Sequence, residues 1–189
     1  MTTIITFHSM EDLLSYCNQH KKSIAETMIE MEIVNSGQTR DTIFNKMKER
    51  LHKMQDAVEK GKSDSSPAPS GISGGDALKM GDYIDKGETL TGRFISRAMR
   101  YAMATSECNA RMGVIVATPT AGSAGVLPGV LFSLRDNEGY SDDQLTEGLF
   151  TASLLGFVIA NRSFISGAAG GCQAEVGSAT AMAAGTIVE

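Results

Sequence analysis

Apolar positions along the first third of the chain recur with helical spacing. Ser9-Met10-Glu11-Asp12 has the form of a capping box, and Ser23-Ile24-Ala25-Glu26 repeats it ahead of Met28, Ile29, Met31 and Ile33, which predicts two short helices. After Asn35-Ser36-Gly37, residues Ile43, Met47, Leu51, Met54 and Val58 follow at steps of four, four, three and four, the stripe of an amphipathic helix ending near Gly61. Lys46, Lys48, Glu49 and Arg50 lie off that stripe and read as a solvated surface; the methionines read as core or partner contacts. Lys62 to Pro69 is polar, holds two of the four prolines and has no period, so it reads as a linker. The expected organisation is a helical arm over 1–61, a linker over 62–72 and a body over 73–189.

In the body, a turn at Lys86-Gly87 precedes a helical segment from Leu90 to Ala104, and Ser141-Asp142-Asp143 caps a helix bearing Leu145, Leu149, Ala152, Leu155 and Val158. Val114-Ile115-Val116-Ala117 fits a short buried strand, though its length does not separate strand from helix. Gln173 to Glu189 is rich in alanine and reads as helix despite Gly177 and Gly185. The fold class is therefore mainly α: a multi-helix domain with glycine-rich loops, preceded by the helical arm. No stop signal follows the periodic pattern before Thr186-Ile187-Val188-Glu189, so a truncated C-terminus is expected.

Composition narrows the function classes. A chain of 189 residues with 42% hydrophobic content can form a sizeable core. Its formal charge of −5 argues against general affinity for nucleic acid or acidic membranes, both of which demand a basic face. The start, Met1 to Phe7, lacks the basic and apolar regions of an export signal, and no apolar run is long enough to span a bilayer. Cys17, Cys108 and Cys172 are odd in number, widely spaced and without a CxxC pair, which suits a reducing cytoplasm better than a disulfide framework. Tryptophan is absent, and the 20 glycines crowd between Gly71 and Gly185.

Four small-residue stretches in that glycine-rich part are chemically alike: Ser70 to Asp76, Ser106 to Ala110, Thr118 to Gly125, and Ser166 to Ser178. Each sets hydroxyls and amide groups ahead of an expected helix, the composition that binds carboxylate or phosphate; any one of them alone is more often plain helix capping than a site, and it is the four together that point to a shared anion site. None is a GxxxxGK[ST] loop or a GxGxxG turn, which disfavours nucleotides. No histidine follows His52, which removes Ser-His-Asp and Cys-His catalysis from this half unless the arm folds over it. Cys172 ends the run Gly167-Ala168-Ala169-Gly170-Gly171, where a flexible backbone lets a thiolate meet a bulky inorganic ligand. The alternative is a packing turn with Cys172 as a small buried hydrophobe. Glu107 and Glu175 are the carboxylates nearest these stretches, with Asp76 and Lys79 as other titratable groups, and salt bridging or helix capping is the plain explanation for each; Asp76, Lys79 and Glu175 are the candidates for a catalytic base, on chemistry alone. Ser73, Gly74, Asn109, Thr118, Thr120, Ser123 and Ser166 are the candidate substrate-binding residues, from their density of hydroxyls and amides.

The segments SGGDALK at Ser73 to Lys79, NARMGVIVATPTAGSAGVLPGVL at Asn109 to Leu131, and ISGAAGGCQAEVGSATAMAA at Ile165 to Ala184 resemble the alpha chain of bacterial iron–sulfur-dependent L-serine dehydratase; the arm, with Phe44-Asn45-Lys46-Met47, is similar too. The resemblance implies a cytoplasmic lyase subunit of amino-acid degradation and gluconeogenesis. It would convert L-serine by β-elimination to pyruvate and ammonia, without pyridoxal phosphate. It implies a four-iron four-sulfur cluster that polarises the substrate hydroxyl, with Cys172 as one ligand and the others beyond residue 189, so that these residues alone would be inactive. It also implies a beta subunit as partner and an oligomeric enzyme. Two other readings compete: a metal-free helical scaffold that only packs, and a pyridoxal-phosphate β-eliminase with Lys79 as Schiff base. The idea at stake is that Cys172 faces an interior, hydroxyl-lined hollow.

Overall fold

The computed structural model describes residues 5–87 and 89–189; the first four residues of the expected non-signal start lie outside them. Among the described residues there are nine α-helices and no strand. They are α1 (Met10–His20), α2 (Ile24–Ser36), α3 (Arg40–Ser63), α4 (Asp76–Asp85), α5 (Gly92–Ala110), α6 (Val126–Glu138), α7 (Asp142–Arg162), the single turn α8 (Gly167–Gly170) and α9 (Cys172–Val188). None of the described helices is long and apolar enough to cross a membrane.

Both serine N-caps form where the sequence places them. The Ser9 hydroxyl accepts the Asp12 amide and the Ser23 hydroxyl the Glu26 amide, each at 3.0 Å, satisfying donors that a helix start leaves unpaired. The chain divides into two compact units, Met1–Leu51 with Asp142–Glu189, and His52–Ser141. In the first, residues of the expected arm pack on the last two long helices. α2 lies against α7 and α7 against α9, and Leu13, Ile29, Phe150, Leu154 and Val158 are almost fully buried together. Phe44 stacks on Phe150 and Lys48 pairs with Asp143 at 2.6 Å.

The second unit is built on α5, with α4 on one side and α6 on another. Small residues set the spacing. A Cβ added at Gly125 or Gly129 would stand 2.6 or 2.7 Å from the carbonyl oxygen of Ala102 or Ala98, so the backbones touch where side chains would separate them. A polar clasp closes the far end: Ser133 donates to the Phe94 carbonyl at 2.6 Å, and Arg97 donates to the Asp136 carbonyl at 2.9 Å. Tyr101 donates to the Asp136 carboxylate.

That last pair makes a pH prediction. Burial and the bond to Asp136 push the Tyr101 hydroxyl up to about 12. Burial alone would raise the Asp136 carboxyl, but hydrogen bonds from Tyr101 and Arg135 outweigh it and hold it below the usual carboxylate range. Tyr101 is raised, so its contribution is complete below its ordinary value of 10.0 and lost as pH climbs to about 12. Asp136 is depressed, so its contribution is present above its ordinary 3.8 and lost as pH falls through its lowered value. Tyr101→Phe should lower stability by about 1 kcal/mol at neutral pH. It should also remove the loss between pH 10 and about 12 in melting temperature measured against pH.

One expectation fails. Residues 114–117 are neither strand nor helix, and Val114 is 67% exposed. α5 ends in a tight turn: Met112 takes φ 63°, and the Gly113 amide closes on the Cys108 carbonyl at 2.8 Å. The segment leaves that turn with no strand beside it among the described residues, so its β-branched residues have no ladder to join. α4 and α6 were not delineated by period. α4 is 10 residues long with Gly81 inside, and α6 carries Pro128 and Gly129 near its start. Proline is tolerated there because first-turn amides have no partner within the helix.

Candidate functional site

Three of the four small-residue stretches meet at the C-terminal turn of α5, all within the second unit. Glu107 is 5% exposed. Its carboxylate accepts the amides of Gly75, Asp76 and Ala77 at 3.1, 2.5 and 3.2 Å, and so caps α4 from another helix. The turn before α4 requires glycine: Gly74 has φ 141° and Gly75 φ 81°, and a Cβ at Gly74 would lie 2.5 Å from the Ser66 carbonyl oxygen. Four residues on, Arg111 contacts the same carboxylate at 3.3 Å and donates to the carbonyls of Asp64 and Ser66 at 2.9 and 2.6 Å. The Ser66 hydroxyl and amide hold the Asp64 carboxyl below its ordinary value. Removing one partner from a buried charged pair of this kind costs about 3–5 kcal/mol.

This geometry changes the meaning of the first stretch. Its helix N-terminus is not an open anion site, because an internal carboxylate already fills it. Asp76 and Lys79 stand on the exposed side of α4 as an ion pair at 2.9 Å. The bond to Asp76 raises the Lys79 ammonium above its ordinary value, the opposite of what a lysine base or a Schiff-base lysine needs.

The third stretch is a folded hydroxyl loop. Thr120 and Ser123 hydroxyls lie 3.2 Å apart, and Ser123 also donates to the Thr118 carbonyl at 3.0 Å. Asn109, on the last turn of α5, reaches the Ala121 carbonyl at 3.5 Å. The Thr118 hydroxyl is buried and has no hydrogen-bond partner, which is rare for a group that costs about 1–3 kcal/mol to desolvate unpaired. Asn109, Thr118, Thr120 and Ser123 are thus brought together, while Ser73 and Gly74 belong to the turn held by Glu107.

Ser166, Cys172 and Glu175 lie in the first unit. Ser166 precedes α8, and Cys172 opens α9 behind Gly171 at φ 76°. Cys17 and Cys108 are buried, and burial raises the Cys108 thiol; Cys172 is exposed. The buried-hydrophobe alternative for Cys172 therefore fails, and so does the interior hollow: this thiol opens to solvent. Glu175 follows three residues later on the same helix face and folds over Gly167, whose Cβ would come 2.8 Å from its carboxylate. Among the described residues no three His, Cys, Asp or Glu side chains gather to hold a metal. The residues present therefore fit one corner of a cluster, a single accessible thiolate, and not a closed site.

Comparison with known proteins decides the family. The serine dehydratase alpha chain family matches residues 19–189, a span that contains every candidate residue above. This chain belongs to that family. Among its serine dehydratase relatives, the probable L-serine dehydratase alpha chain of Bacillus subtilis (strain 168) is 45% identical over 183 residues, covering 97% of this chain and 61% of that protein. The L-serine dehydratase alpha chain of Peptoniphilus asaccharolyticus is 35% identical over 182 residues, covering 96% and 62%. An L-serine dehydratase of Helicobacter pylori (strain J99) is 32% identical over 198 residues, covering 96% and 40%. The chain thus spans about three-fifths of the length of the first two curated relatives. Sequence reasoning named the hydroxyls of these loops and named Glu107 as a nearby carboxylate whose plain explanation was helix capping or salt bridging, which is what it does here, but gave Arg111 no role. The available signal was their spacing of four on α5, which puts a carboxylate and a guanidinium side by side.

Proposed function

We propose that this chain is part of the catalytic subunit of an L-serine dehydratase, which eliminates water from L-serine to give pyruvate and ammonia. The observation that carries the reading is the family match over residues 19–189, with Cys172, the exposed one of this chain's three cysteines, at the head of α9. Cys172 would supply one thiolate to a four-iron four-sulfur cluster, with the remaining ligands from outside residues 1–189. When bound, that cluster supplies a Lewis acid for the substrate hydroxyl.

The chain's own residues do the rest. Serine carries a carboxylate and an ammonium, which need acceptors and donors at once, and the hydroxyl loop of Thr118, Thr120 and Ser123 offers both. Ser73, Gly74 and Asn109 complete that set within the second unit, and Ser166 is the hydroxyl proposed from the first. Glu175 takes the α-proton, since of the three candidate bases it alone shares a helix turn with Cys172. The Cα–H electrons form the Cα=Cβ bond as hydroxide leaves Cβ; the resulting aminoacrylate tautomerises to an imine, and water releases pyruvate and ammonia. A beta subunit as partner and an oligomeric, cytoplasmic enzyme belong to the same proposal.

The test is pyruvate formation from L-serine by the intact enzyme containing this chain, after anaerobic reconstitution with iron and sulfide. Turnover without pyridoxal phosphate supports the reading; no turnover in a protein that has taken up iron overturns it. Thr118→Val, which removes the unpaired hydroxyl while keeping the shape, should raise KM for L-serine about tenfold with folding intact. An unchanged KM removes Thr118 from the binding set.

A further inference from the structure

The proposed serine-binding turn does not hold its own shape. Gly74 and Gly75 occupy backbone regions with positive φ, and α4 has no side-chain cap from its own N-terminal residue. What fixes the turn comes from 30 to 32 residues away: the Glu107 carboxylate takes the three amides that open α4. Arg111 then ties the same carboxylate to the carbonyls of Asp64 and Ser66, the strand of chain against which Gly74 packs. One buried acid and one guanidinium thus grip both sides of the Ser73-Gly74 turn.

We infer that Glu107 is a positioning residue for substrate binding, acting through the Gly75, Asp76 and Ala77 amides to hold Ser73 and Gly74 in place, with Arg111 as its anchor to the preceding segment. The inference rests on the serine reading above. Glu107 touches no substrate in this scheme. Its loss should therefore loosen ground-state and transition-state binding alike, which raises KM and leaves kcat nearly unchanged. A glutamine of the same volume keeps one acceptor oxygen but turns an amide donor toward backbone N–H groups, so Glu107→Gln breaks the grip without opening a cavity.

The experiment uses the intact, reconstituted enzyme and two readouts. In Glu107→Gln, amide hydrogen exchange at Gly75, Asp76 and Ala77 should quicken about tenfold or more. KM for L-serine should rise about tenfold, with kcat within about twofold. Tyr101→Phe serves as a destabilised control in the same unit that leaves the turn untouched, and its KM should stay at the wild-type value. Exchange at the three amides that does not change overturns the inference. So does faster exchange with an unmoved KM, or an equal KM rise in Tyr101→Phe, since each reduces Glu107 to a structural cap. Should Glu107→Gln fail to fold, Arg111→Lys, which keeps the charge but loses the forked donors, carries the same two readouts. A wild-type enzyme that makes no pyruvate defeats the serine reading; a wild-type enzyme that does, beside a variant with unmoved KM, defeats the inference alone.

Discussion

Cys172→Ser in the intact enzyme should remove at least about 99% of pyruvate formation and most of the bound iron, a loss of at least about 100-fold. A serine hydroxyl is a poor soft-metal ligand, and Cys172 is the one exposed cysteine of the three. Cys17 sits 3.4 Å from the Thr27 hydroxyl and Cys108 lies under the Gly113 turn, so both thiols are spoken for by packing. Cys17→Ser and Cys108→Ala should retain iron. The readouts are iron per chain and pyruvate per minute on the same samples. If Cys172→Ser keeps its iron, the cluster assignment fails whatever the rate does.

The second large effect concerns Gly61. Helix propensity alone favours Gly61→Ala by about 1 kcal/mol, since alanine suits a helix interior better than glycine. Tertiary contact reverses the sign. A Cβ there would lie 1.9 Å from the Ala104 carbonyl oxygen and 2.5 Å from its carbon, both backbone atoms that cannot rotate away. The helices would have to part, and overpacking of that kind costs about 1–3 kcal/mol or more, enough to outweigh the propensity gain. A net loss of up to about 2 kcal/mol is therefore expected in urea unfolding of the chain. Gly177→Ala on α9 is the matched contrast: nothing lies within 4 Å of its added Cβ, so propensity should win and stability should rise by up to about 1 kcal/mol. If both alanines stabilise, the close approach of α3 and α5 is wrong.

These two glycines show where reading the chain stops. In sequence, Gly61 closes an amphipathic stripe and Gly177 interrupts an alanine-rich one; nothing local marks the first as indispensable and the second as replaceable. The same holds at the site. The hydroxyls of Thr118, Thr120 and Ser123 were legible as a cluster because they lie within six residues, whereas the bond from Glu107 to the Gly75 turn spans 32. Residues 114–117 misled for the same reason: a run of Val, Ile, Val and Ala has β character, but a strand exists only if another strand lies beside it.

The amino-acid order by itself determined the family, through its three glycine-rich motifs, the mainly α class, and the starts of α1 and α2, because periods and caps act over three or four residues. Only the folded chain decided that the first glycine turn is already filled by Glu107, that Cys172 opens to solvent while two other thiols are sealed, and that small residues at 61, 125 and 129 are required. Those outcomes depend on which distant groups share a volume, and sequence separation carries no measure of that.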